Sequence, residues 1–223
     1  MDKSSRIPAD LLSYCTGWAE RLRMMPGNEL RIRYMVSELP RLLRDRVLMK
    51  NILSAIAAGA LYPDPRSATM FPGEVVLYRD PERLFSLRLY LWGPGEYNPV
   101  HDHNSWGVIG AAAGKLEVVE YRLEDSASTA EAKGPTEKAR RVLLPGQVCT
   151  ILPLNEGIHR TGNSTEETIA QVGIYGGSQT GRRHITVYDL ESGTVGALYA
   201  PSERKKNLAG EALQWDEKSG DEH

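Results

Sequence analysis

Leu91-Trp92-Gly93-Pro94-Gly95-Glu96-Tyr97-Asn98-Pro99-Val100-His101-Asp102-His103 is the stretch on which the reading of this chain turns. An apolar run ends in a Gly-Pro-Gly turn, and an H-x-H pair follows on what should be extended backbone. Side chains on a strand alternate with period two, so both imidazoles of such a pair point to one face. On their own, two alternating histidines could simply be solvated or hydrogen-bonded. A third, His159, lies inside Pro153-x3-Gly157-x-His159-x3-Asn163, on a short strand that begins at Gly157 and ends at an Asn163 turn. Three imidazoles from neighbouring strands would close one side of a metal ion and leave the other open. Neutral imidazole suits iron, zinc, copper and nickel, so the ligand set says more than the metal does.

Outward from this stretch the pattern stays short and strand-like from Gly73 onward. Val75–Tyr78, Phe85–Trp92, Trp106–Ala113, Leu116–Leu123, Arg141–Leu144, Val148–Leu152, Thr168–Tyr175 and Ile185–Tyr188 are rich in apolar, β-branched and aromatic residues. Turn signals such as Ala113-Gly114-Lys115, Pro145-Gly146 and Glu191-Ser192-Gly193 separate them, which indicates a sandwich or closed barrel rather than βαβ units. Asp125 to Lys138 reads as a surface loop. Upstream, Pro8 to Leu61 has helical periodicity in three pieces: one up to Met25, a second from Glu29 to Leu39 ended by Pro40, and a third from Arg41 to Ala58. The Pro63-Asp64-Pro65-Arg66-Ser67 stretch reads as a linker. The expected organisation is a helical segment (1–66), a barrel (67–200) and a polar tail (201–223) that drapes over it.

The bulk numbers exclude several classes. A net charge of −2, from 27 basic and 29 acidic residues, gives no field for nucleic acid or an anionic membrane. No apolar run has the length of a transmembrane helix. Two cysteines, Cys15 and Cys149, make no disulfide framework, and the first residues have no signal-peptide core. These features lead us to expect a cytoplasmic protein that acts on small molecules, with neither nucleic-acid nor membrane partners.

Taken together, the two histidine motifs match the bipartite cupin pattern, which implies a mainly β fold: a double-stranded β-helix (jelly-roll barrel) preceded by N-terminal α-helices. More narrowly, Leu91–Gly95, His101-Asp102-His103-Asn104-Ser105-Trp106-Gly107, Ile158-His159-Arg160-x2-Asn163, Tyr175-Gly176-Gly177 and Val187-Tyr188-Asp189 resemble the bacterial thiol dioxygenases, the cysteine and 3-mercaptopropionate dioxygenase cupins. The resemblance spans roughly Val75 to Asp189. It implies Fe(II) held by His101, His103 and His159, with a small thiol carboxylate oxidised by O2 to its sulfinate. It also implies that Tyr175 is a catalytic tyrosine, and that Arg79 or Arg183 holds the substrate carboxylate, with Arg88 as a further candidate. Two departures stand out. Gly107 occupies the position of the general cupin glutamate ligand. The family's Ser-x-His-x-Tyr relay is reduced to Gln171-Val172-Gly173-Ile174-Tyr175, where Gln171, or a water in the space left by Gly173, could substitute. The alternatives are a three-histidine cupin oxygenase or lyase acting on a non-thiol substrate, and a non-catalytic metal- or ligand-sensing cupin.

Overall fold

The computed structural model describes residues 7–59, 69–123 and 134–220. The Pro63–Ser67 linker, most of the Asp125–Lys138 loop and His223 lie outside the described residues. Three helices come first: α1 (Ala9–Arg23), α2 (Asn28–Arg44) and α3 (Arg46–Ala57). Leu11, Cys15, Trp18 and Leu22 recur every three or four residues and bury one face of α1. Pro40 does not end the second helix, which continues through it to Arg44. The N–H that proline lacks would have served the carbonyl of Val36, which lies on the exposed side, so water can replace the lost bond. The break comes instead at Asp45, whose carboxylate accepts the Leu48 N–H at 3.0 Å and caps α3.

Among the described residues eleven strands follow: β1 (Glu74–Arg79), β2 (Phe85–Trp92), β3 (Val100–His101), β4 (Gly107–Ala113), β5 (Leu116–Arg122), β6 (Thr136–Leu143), β7 (Val148–Ile151), β8 (His159–Gly162), β9 (Ile169–Gly176), β10 (His184–Tyr188) and β11 (Val195–Tyr199). They form two antiparallel sheets, ordered β1-β2-β9-β4-β7 and β11-β10-β3-β8-β5-β6. Consecutive strands repeatedly cross from one sheet to the other, which is the winding of a double-stranded β-helix. The turn ahead of β3 uses Gly95 at φ 73°, a conformation that glycine adopts without strain. A final helix, α4 (Pro201–Gly220), replaces the expected draping tail. Its apolar residues are sparse, but Glu, Lys, Ala and Leu are strong helix formers, and Glu203 sits in the positively polarised first turn. β11 escaped the sequence reading because its residues are largely exposed, and β6 begins five residues before the expected Arg141.

Both faces of the first sheet are buried. Leu87, Leu89, Val108, Val172 and Ile174 pack toward the helices in a cluster with Trp18 and Leu39, while Trp92, Ile109, Ala111 and Ile169 face the barrel interior. That two-sided burial explains the nearly unbroken apolar run of β9. Trp18 meets Phe85 edge-on at 6.4 Å and joins the helical layer to β2. Trp18→Ala should cost about 3–5 kcal/mol by leaving a cavity in this layer. Asp45→Ala should cost only about 1 kcal/mol as a lost cap. Chemical unfolding midpoints test both values and their order.

Candidate metal centre

The six-stranded sheet and the loop after β3 bring the three histidines together. His101 ends β3 and lies directly opposite His159 of β8 in the antiparallel register. His103 is beyond the end of β3, yet its ring joins the same cluster. Ring centroids are 4.7 Å (His101–His103), 5.0 Å (His101–His159) and 4.8 Å (His103–His159) apart, close to an equilateral triangle. The Nε2 atoms of His103 and His159 stand 3.0 Å apart. Two nitrogens each about 2.1 Å from one ion and at right angles would be separated by about 3.0 Å, so the spacing fits a shared cation. The Nδ1 of His101 meets the Pro99 carbonyl at 2.9 Å; donating there fixes the tautomer and turns the Nε2 lone pair inward.

Burial keeps all three rings neutral. It pushes His101 down to about 4, and it holds His103 and His159 well below the usual imidazole range, aided by the neighbouring histidines. Neutral rings with lone pairs directed at one point are the form that a metal requires. Among the described residues the cluster contains no acid. Asp102, between the two ligands in sequence, is spent elsewhere: its carboxylate takes the Arg182 guanidinium at 2.8 Å and the Thr186 N–H at 2.7 Å. This partly buried pair ties the His101–His103 segment to β10. Asn98 exchanges hydrogen bonds with Thr161, which ties the approach to β3 onto β8.

A cavity of about 210 Å³ opens beside the imidazoles. Tyr175 of β9 lines it and stacks on His103 at 5.8 Å with an interplanar angle of 11°. The space left by Gly173 is not available to a water: a Cβ there would fall 2.7 to 2.9 Å from the Tyr175 ring and hydroxyl. A Cβ on Gly107 would also meet that ring, at 2.9 Å. Both departures from the family pattern thus make room for one side chain. Gln171 accepts the indole N–H of Trp92 at 3.0 Å and is 2% exposed.

The two arginines expected to bind a carboxylate do not reach the cavity. Arg79 is exposed at the end of β1. Arg183 is drawn outward to Glu203 of α4 at 2.7 Å, a partner that the sequence reading lacked because it expected no helix there. Arg88 of β2 is the cationic side chain that faces in. It pairs with buried Glu74, takes Ser86 Oγ at 3.1 Å and lies 5.7 Å from the centre of the Tyr175 ring. Tyr90 and Glu74 went unnoticed in the sequence. The alternation Ser86, Arg88, Tyr90, Trp92 on β2 could have revealed the first, but nothing local signals the second. Cys15 and Cys149 are buried, and burial pushes both thiols up to about 12, so they act as small apolar residues. His184 packs against the Tyr199 ring at a tilt, outside the cluster.

No known family profile matches the chain. Solved structures similar to it include a cupin 2 conserved barrel domain protein from Salinispora arenicola (18% identity, 50% of this chain and 82% of that one, TM-score 0.36). Another is a double-stranded β-helix protein from Klebsiella pneumoniae (14% identity, 59% and 93%, TM-score 0.38). A third is a DMSP lyase from Ruegeria pomeroyi (16% identity, 43% and 39%, TM-score 0.30). The chain has a cupin fold. Its sheet order and winding carry that statement, and the three-histidine cluster lies inside the barrel. No helix among the described residues is long and apolar enough to cross a membrane.

Purified protein should take up one equivalent of a divalent metal, and His101→Ala, His103→Ala and His159→Ala should each abolish tight binding; metal analysis after gel filtration checks this. Acid should unfold the metal-free protein early. A histidine whose folded pKa lies below its ordinary value near 6.5 contributes stability that is complete above 6.5 and lost as pH falls through the folded value. For His101 alone that is about 3 kcal/mol between pH 6.5 and 4. Urea midpoints measured across this range should decline, and they should decline less in His101→Gln.

Proposed function

We propose that this protein is a non-haem Fe(II) thiol dioxygenase that converts a small thiol carboxylate to its sulfinate, R–SH + O2 giving R–SO2− and H+. The observation that best supports the reading is a cluster of three buried, neutral imidazoles, with no carboxylate in it among the described residues, beside a cavity of small-molecule size. Iron bound there would keep its full positive charge and free coordination positions, which favour a thiolate and O2.

The chain's own residues supply the rest. His101, His103 and His159 hold the metal through neutral nitrogens. Arg88 offers its remaining N–H groups to the substrate carboxylate, oriented by Glu74 and Ser86 so that little side-chain freedom is lost on binding. Burial opposes the charge on Arg88, but the Glu74 carboxylate paired with it keeps the guanidinium protonated. Phe71, 5.5 Å from the His101 ring, and Tyr175 provide apolar walls that exclude water. Glycine at position 173, where the family places its relay histidine, favours one other reading: a three-histidine oxygenase or lyase acting on a non-thiol substrate.

An oxygen electrode with iron-loaded protein and cysteine, 3-mercaptopropionate, mercaptosuccinate or cysteamine separates the two. Uptake with a carboxylate-bearing thiol is expected, and silence with all four excludes the dioxygenase. Arg88→Gln should raise KM for the carboxylate thiols roughly ten- to hundredfold, the loss expected for one charge-assisted contact. It should change KM for cysteamine, which has no carboxylate, much less than for the carboxylate thiols.

A further inference from the structure

The six-stranded sheet ends in two unlike edges. β6, at one end, carries Glu137, Lys138, Arg140 and Arg141. Charges of this kind keep an edge strand from pairing with another chain. β11, at the other end, reads Val195-Gly196-Ala197-Leu198-Tyr199 and has none. Its first three residues are exposed, Val195 to 61%. An uncharged, exposed edge is the kind that recruits a further strand.

The register shows which backbone groups are free to do so. Val195 to Tyr199 pair antiparallel with Tyr188 to His184. The turn between the two strands is closed by the Asp189 N–H, which donates to the Thr194 carbonyl at 2.9 Å. Bonded pairs alternate along an antiparallel ladder, so Gly196 and Leu198 bond to β10. The N–H and C=O groups of Val195, Ala197 and Tyr199 therefore point away from the sheet. Thr186, opposite Ala197, turns its own carbonyl the other way and accepts the Asp102 N–H at 3.0 Å. Among the described residues no strand pairs with the outer side of β11.

A second copy of the same strand fits this edge in both shape and charge. Antiparallel pairing about a two-fold axis at Ala197 sets Val195 against the partner's Tyr199 and forms about six backbone hydrogen bonds. Each chain passes from β11 through Ala200 directly into α4, so α4 of one copy starts beside the β10–β11 turn of the other. The surfaces that meet there are complementary. A groove of about 610 Å³ between β11 and α4 is lined by Tyr199, Leu208, Arg204 and Lys206, with Leu208 51% exposed. Glu203, next to these cations, is held by Arg183 at 2.7 Å. The turn presents Leu190, 46% exposed, between the exposed acids Asp189 and Glu191. An apolar tip flanked by carboxylates thus faces an apolar groove flanked by cations. The same patch serves both copies, so the contact closes at two.

We propose that this chain dimerises edge to edge through β11, with the β10–β11 turn of each copy seated in the α4 groove of the other. The joined sheet runs on through β10 to β3, the strand of His101. The proposal is independent of the thiol reading and of the metal.

Sedimentation velocity of the full chain from about 1 to 100 µM tests it. Wild-type protein should reach twice the chain mass within that range. Ala197→Pro removes an outward N–H that the chain's own sheet does not use, and proline is tolerated at such edge positions. Leu190→Asp alters only an exposed side chain in the turn. Each should raise the dimer dissociation constant at least roughly tenfold, with far-UV circular dichroism unchanged. Should the proline variant misfold, Leu190→Asp and amide exchange in the wild type decide. The Val195, Ala197 and Tyr199 amides should exchange more slowly as the concentration rises through the transition. A wild-type chain that stays monomeric to about 100 µM overturns the proposal. So does a dimer that Leu190→Asp leaves intact and whose β11 amides exchange as freely as in the dilute protein, because its interface would lie elsewhere.

Discussion

Three imidazoles forced together out of water are the constraint around which this molecule is built. Each is buried and kept neutral, and two of their nitrogens approach to 3.0 Å. Lone pairs aimed at one another repel, so without a cation one ring must turn a proton toward its neighbour for the contact to be favourable. A divalent ion removes that conflict, since it accepts all the lone pairs at once. The surrounding structure holds the arrangement by means that do not depend on the ion. The His101–His159 register sets one edge of the triangle, the Pro99 carbonyl sets a tautomer, and the Asp102–Arg182 pair anchors the segment between the first two ligands.

The opposite wall follows from the same requirement for a dry, shaped cavity. An arginine can face the interior of a barrel only if its charge is met, and Glu74, itself without solvent exposure, meets it. Breaking that pair would leave one charge buried and alone, which is far more costly than a surface ion pair. Glu74, Arg88 and the Tyr175 ring beside the guanidinium consequently behave as one packed unit. Gly107 and Gly173 belong to that unit through the volume they leave open.

Much of this was legible in the sequence where period and spacing speak directly. H-x-H on extended backbone, a third histidine bracketed by Gly157 and Asn163, and short apolar runs between turn signals were enough for the barrel and for the clustering of the three histidines. What was not legible depends on tertiary partners. Arg183 looks available until α4 brings Glu203 beside it, and α4 itself has too few apolar residues to stand out. Pro40 carries a strong local stop signal, overridden because the carbonyl it leaves unbonded faces solvent. Gly173 reads as a loss in the alignment of motifs, whereas in three dimensions it is the seat of Tyr175. Glu74 opens an ordinary strand, and only the fold of the sheet places its carboxylate against Arg88.

The most direct test is X-ray absorption at the iron edge of the Fe(II)-loaded protein, supported by a crystal structure of the same form. The account requires a first shell with three imidazole nitrogens from His101, His103 and His159, completed by water or added ligand. A carboxylate from the chain in that shell, or an ion bound away from these rings, would contradict it.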